Sequence, residues 1–168
     1  MLLLGLLPLL GGCLGSTPQR ASISEARLLD VGGAQLLEVT QQLRLSRTML
    51  GALASGIPLR LGYRVDLCRA QPHGTAIELR YYALTRSYEM RIAGEAAARR
   101  FSRRSALLAA LDRVRLPLPG TVAADCTGEV AVALDLTSLP TPLSFPAFLE
   151  PGEWRLVSPA TTWHAARG

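Results

Sequence analysis

The chain contains no lysine and no asparagine, only two histidines, and few aromatic side chains. All 18 of its positive charges are therefore arginine, a substitution pattern that reads as the codon bias of a GC-rich genome. Arginine richness on that background does not argue for nucleic-acid binding, and no nucleic-acid partner is expected. His73 stands between Pro72 and Gly74, and His164 lies near the C-terminus; neither has a cysteine or carboxylate at ligand spacing, so no zinc motif is present. There is no G-x-S-x-G elbow, P-loop or G-x-G-x-x-G after a strand, and no pair of carboxylates is placed to share acid and base roles. The sequence thus offers no catalytic residue, no metal site and no cofactor, and it reads as non-enzymatic. An envelope enzyme acting on lipid or peptidoglycan is the alternative, and it requires polar groups from separate strands to meet in one pocket.

No charged side chain precedes Gln19, and Leu2–Leu10 is apolar apart from Gly5 and Pro8. Residues 1–18 therefore read as an export signal. The run ends in Leu10-Gly11-Gly12-Cys13, which resembles a bacterial lipobox with Cys13 as the lipidation site. Ordinary cleavage a few residues later is a second reading. An uncleaved anchor is a third, although the run falls short of the about 20 apolar residues that a spanning helix needs. Export agrees with the cysteine arithmetic: once Cys13 is lipidated or removed, Cys68 and Cys126 are left as a pair. The two either form a disulfide or stand as buried thiols.

Residues 19–168 are too few for two cores, so a single domain is expected. Residues 21–46 read as two strands around Gly32-Gly33, the second carrying Leu37, Val39, Leu43 and Leu45 with Gln41 intruding. Ser46 opens a short helix with Met49, Leu50, Leu53 and Ala54 at helical spacing, closed by Gly56. From Ile57 to Leu67 apolar and polar residues alternate strictly, the mark of a strand with one face in the core. Leu79–Ile92 (LRYYALTRSYEMRI) is a hairpin whose tyrosines flank the turn. Ser102 can cap a second helix with Leu107, Leu108, Leu111 and Val114 on one face, ended by Pro117 and Pro119. Val130, Val132, Leu134 and Leu136 make a last strand. Residues 138–156 form a proline-rich tail, which reads as an edge or a wrap. The fold class is mainly β, an antiparallel sandwich-like sheet with two short helices.

Two features offer a contact surface. Charge is uneven, with 12 arginines against 5 acids in residues 59–115 and 2 against 5 in residues 116–168. Arg99, Arg100, Arg103 and Arg104 crowd the start of the second helix, where the helix dipole disfavours cations. They form either a solvated face or a patch for anionic lipid or an acidic partner. Tyr82 and Arg86 stand at the hairpin turn, where aromatic side chains either pack across strands or anchor a partner.

The segments ALASGIPLRLGYRVDL, LRYYALTRSYEMRI, LDRVRLPLP, VALDLTSLPTPL and EWRLVSPATTW occur in an order that resembles the proteobacterial exported-protein family catalogued as domain of unknown function 4390. The most specific pieces are Gly56-Ile57-Pro58-Leu59, the Tyr82–Tyr88 hairpin, the stretch from Leu134-Asp135 to Leu143, and the two tryptophans. The resemblance implies export to the periplasm or envelope and a link to a membrane sensor kinase of the nitrogen-regulation type; it implies no activity. The chain departs from the family pattern in three places. Residues 68–76 replace a tryptophan-bearing segment, arginines replace acids at the second helix, and the leader ends in a lipobox. The reading is an exported interaction or structural module.

Overall fold

A computed structural model describes residues 20–68, 72–123, 125–140 and 151–165. Cys13, the leader and residues 141–150 of the proline-rich tail lie outside the described residues.

The first two strands, β1 (Ala21–Val31) and β2 (Ala34–Leu43), are antiparallel neighbours joined at Gly32-Gly33, both at positive φ. Helix α1 (Arg47–Ala54) follows, with the Ser46 hydroxyl accepting from the Met49 amide at 3.0 Å and Gly56 at φ 84 releasing the chain. The strand β3 (Leu59–Val65) buries Leu59, Leu61, Tyr63 and Val65 and exposes Arg60 and Arg64, as the alternation predicts. Next come β4 (His73–Tyr82) and β5 (Ser87–Ile92), the predicted hairpin.

The second helical region differs from its expectation. A short strand, β6 (Arg99–Phe101), precedes the helix α2 (Arg104–Leu111), and β7 (Arg113–Pro117) follows it at once. Ser102 makes no cap: Arg103 occupies the N-cap position without a side-chain hydrogen bond. Val114 belongs to β7, where it alternates with exposed Arg113 and Arg115 and buried Leu116. Spacing alone misassigns it, because Val114 also falls three residues after Leu111. Then β8 (Thr127–Leu134) leads through a 3-10 turn at Leu136–Ser138. Beyond the undescribed stretch lie the one-turn helix α3 (Pro151–Trp154) and β9 (Thr161–His164). Beyond the proline-rich tail, β9 takes an interior place, antiparallel to β8 and parallel to β1.

All nine strands belong to one mixed, mostly antiparallel sheet in the order β6-β5-β4-β3-β8-β9-β1-β2-β7. The architecture is mainly β with short helices, and the expected sandwich-like packing takes the form of a single sheet curled into a half-barrel. Three observations show the curl. Helix α2 touches β5 and β6 at one edge and β2 and β7 at the other. A Cβ on Gly94, after β5, would lie 3.5 Å from the Pro117 ring at the end of β7. Gln41 of β2 reaches across the interior to Tyr63 of β3, four strands away in the sheet order. The concave face holds one core that includes Leu37, Leu61, Leu79, Leu107, Trp154 and Trp163. Among the described residues every member of that core lies between Ala21 and Ala165, so a chain from residue 19 onward carries all of them.

The strand directions give the half-barrel two distinct rims. At the first gather Arg20, α1, the β4–β5 turn, the β6–α2–β7 connection and the exit of β8. At the second gather the β1–β2 turn, the end of β3, the β5–β6 turn, the start of β8 and the end of β9.

Candidate functional site

Among the described residues the polar groups inside the half-barrel are few, and all but two of their atoms are bonded to structure. The Gln41 side-chain amide, 1% exposed, donates to the Tyr63 hydroxyl at 2.7 Å and to the Leu111 carbonyl at 2.8 Å. It thereby ties α2 to the far wall. Burial pushes the Tyr63 phenol well above its ordinary pKa, against a smaller opposing effect from Gln41. The Gln41 Oε1 and Trp163 Nε1 atoms are buried without a partner among the described residues. Among the same residues no three His, Cys, Asp or Glu side chains are grouped to hold a metal ion.

The convex face is a lattice of ion pairs. Cross-strand register sets Arg27 of β1, Glu38 of β2 and Arg115 of β7 in one row. Arg27 Nε donates to the Glu38 carboxylate at 2.9 Å and Arg115 Nε at 3.0 Å. These bonds, Arg27 first and Arg115 second, hold the carboxyl below its usual range despite its burial. The Glu89 carboxylate of β5 pairs with Arg91 at 3.5 Å and Arg100 at 3.4 Å. Arg60 faces Asp135, Arg64 faces Asp66, and Arg80 faces Glu78.

The predicted arginine cluster is accordingly divided. Arg100 is bound into the lattice, and Arg99, in β6 beside it, stacks over the Phe101 ring with its guanidinium carbon 5.6 Å from the centroid. Neither stands at the helix start; only Arg103 and Arg104 do. Among the described residues Arg103 and Arg104 make no ion pair, and the same is true of Arg44 and Arg86. All four belong to connections at the first rim. Pairing of Tyr88 with Phe101 makes the chain leave β6 beside the β4–β5 turn, which brings Arg103 and Arg104 to the side of Arg86.

That turn also carries exposed apolar surface. Tyr81 and Tyr88 face each other across the strands with ring centroids 4.7 Å apart, which answers the structural role expected of the hairpin tyrosines. Tyr82, one residue on, is 39% exposed, and Leu84 at the tip is fully exposed. Sequence reasoning passed over Leu84. Its signal is that a leucine at the centre of a four-residue turn has no strand partner to bury it. Arg86 closes the turn at φ 48, a left-handed conformation uncommon for a residue with a Cβ. The second rim has the opposite character: Asp30 near the β1–β2 turn, Glu95 and Asp125 stand there without an ion pair among the described residues, and Asp66 is matched by Arg64.

Cys68, at the end of β3, and Cys126, before β8, are joined in a disulfide at the second rim, with Cα atoms 5.4 Å apart. Of the two cysteine readings, the bond is the one observed. Such a bond belongs to an oxidising, extracytoplasmic compartment. No described helix is long and apolar enough to cross a membrane.

Fold, disulfide and rim together define an extracytoplasmic β domain that is polarised from end to end. Residues 18–164 match the family model described as Domain of unknown function (DUF4390), and the chain belongs to that family. No curated protein and no solved structure matches the chain.

Proposed function

We propose that the protein is a non-catalytic interaction module of the cell envelope, working in the periplasm and making its contact through the first rim. One observation carries this reading: ion-pair-free arginines and the exposed Tyr82 and Leu84 gather at one end of a half-barrel whose other arginines are largely bound into a lattice. A fully exposed leucine beside free guanidinium groups costs solubility and returns nothing to the fold, whereas partner anchors have this composition. Lipid on Cys13 would hold the domain at a membrane, and the membrane sensor kinase implied by the family resemblance is among the proteins it would then reach.

The test is photocrosslinking in living cells with a photoreactive amino acid placed at position 84 or at position 31. Val31 is 53% exposed and sits at the second rim, so it controls for exposure. Adducts at 84 and none at 31 support the reading. Equal capture at both positions, or none at either, contradicts it.

A further inference from the structure

We infer that the surface met by the first rim is an anionic phospholipid bilayer, with Leu84 entering the interface and Arg86, Arg103 and Arg104 lying against the headgroups. This deepens the proposed function and rests on its assignment of the rim as the contact end.

Three features favour a bilayer over a protein groove. The first is connectivity: a lipid on Cys13, as in the proposed function, joins the domain through Arg20, and Arg20 stands at this rim. A membrane that holds Cys13 therefore lies on the side of this rim. The second is charge. Among the described residues Arg44, Arg86, Arg103 and Arg104 lie without an ion pair at this rim, where Asp112 is the one acid without one and Asp135 is matched by Arg60, while at the other rim Asp30, Glu95 and Asp125 have no ion pair and Asp66 is matched by Arg64. A domain so polarised is turned by an anionic surface until its basic end faces it, over the roughly 8 Å range that physiological salt permits. The third is the shape of the apolar group. Leu84 projects from a turn, completely exposed, with Tyr82 less exposed beside it. A leucine tip backed by an aromatic ring and rimmed by guanidinium groups matches the depth profile of a bilayer interface, apolar at the point, amphipathic above it and cationic at the headgroups. Glu153 at this rim does not oppose the arrangement, because its carboxylate is occupied by Arg20 at 3.3 Å and Thr48 at 3.1 Å.

The experiment uses oxidised protein from residue 19 onward, which retains every described core residue without the leader, and vesicles of phosphatidylglycerol with phosphatidylcholine or of phosphatidylcholine alone. The wild type is expected to sediment with the anionic vesicles at low salt and to be released as salt rises. Each arginine near such a surface strengthens partitioning by about fivefold, so Arg86→Gly with Arg103→Gln and Arg104→Gln should weaken it by about 100-fold. Arg86→Gly keeps the turn, since glycine favours the left-handed backbone found there. Leu84→Gln should weaken binding by about tenfold, and it touches no packed atom. Val31→Gln should change nothing. Absence of sedimentation with anionic vesicles at low salt overturns the inference, as does binding that ignores Leu84→Gln or the triple arginine change. If vesicle binding fails while position 84 still crosslinks to a protein in cells, the lipid inference falls and the proposed function stands.

Discussion

Gly128 occupies a place where no side chain fits. A Cβ there would lie 1.9 Å from the Asp66 carbonyl oxygen and 2.7 Å from the Trp163 ring, and the first of these is backbone that cannot swing aside. Gly128→Ala should therefore destabilise the domain by about 3 kcal/mol or more through overpacking, measured by urea unfolding. A loss under about 1 kcal/mol would show that β3 and β8 yield where this account holds them rigid. Glu38 makes a different prediction, about pH. Its carboxyl is held below the ordinary value by Arg27 and then Arg115, so its contribution is present above the unfolded pKa of about 4.3 and is lost as pH falls through the lower folded value. Wild-type unfolding midpoints should drop below about pH 4.5, and Glu38→Gln should start lower at pH 7 and show a shallower acid limb. Parallel curves for the two proteins would contradict the assignment. Neither residue was legible beforehand: a glycine in a strand carries no mark of what approaches it, and a single glutamate does not announce that two arginines from other strands will flank it.

At the scale of elements, legibility followed local periodicity. The strands β3, β4 and β5 and the helix α1 were readable because their alternation or capping is written in consecutive residues, from Leu59 to Val65 and from Ser46 to Gly56. The strand β6 was hidden because Arg-Arg-Phe has no alternation to detect, and β9 because Thr161–His164 is short and follows a proline-rich stretch. The strand β7 was hidden because Val114 satisfies the helical spacing of α2 as well as its own strand period. The hairpin predicts its own energetics. Tyr81 and Tyr88 are half-buried with their rings in contact at a 40° tilt, so Tyr88→Ala should cost about 2 kcal/mol, less than the ~3–5 of a fully buried aromatic. A double-mutant cycle with Tyr81→Ala should return a coupling of about 1 kcal/mol. Strict additivity of the two changes would mean that the rings do not support each other.

For the whole molecule, the disulfide and the two rims carry the account. The bond between Cys68 and Cys126 closes a loop of 58 residues, and reduction should lower stability by about 4 kcal/mol on the chain-entropy model. Urea unfolding with and without reductant measures this, and a change below about 1 kcal/mol would show that the second rim is held without it. The candidate site was half legible. Tyr82, Arg86, Arg103 and Arg104 were chosen from the sequence, and the fold brings them to one end. Arg99 and Arg100 were chosen with them because they are neighbours in the chain, but strand β6 holds them beside Glu89 and Phe101 instead. Whether neighbouring charges are free or paired depends on cross-strand register, which a sequence does not display. The most direct test of end-to-end polarity is a nitroxide label at position 84 or position 31 of the oxidised domain, read by collision with oxygen and with a water-soluble nickel reagent on anionic vesicles. The account predicts that the label at 84 gains oxygen contact and loses nickel contact while the label at 31 stays in water; matching accessibility at the two positions would contradict it.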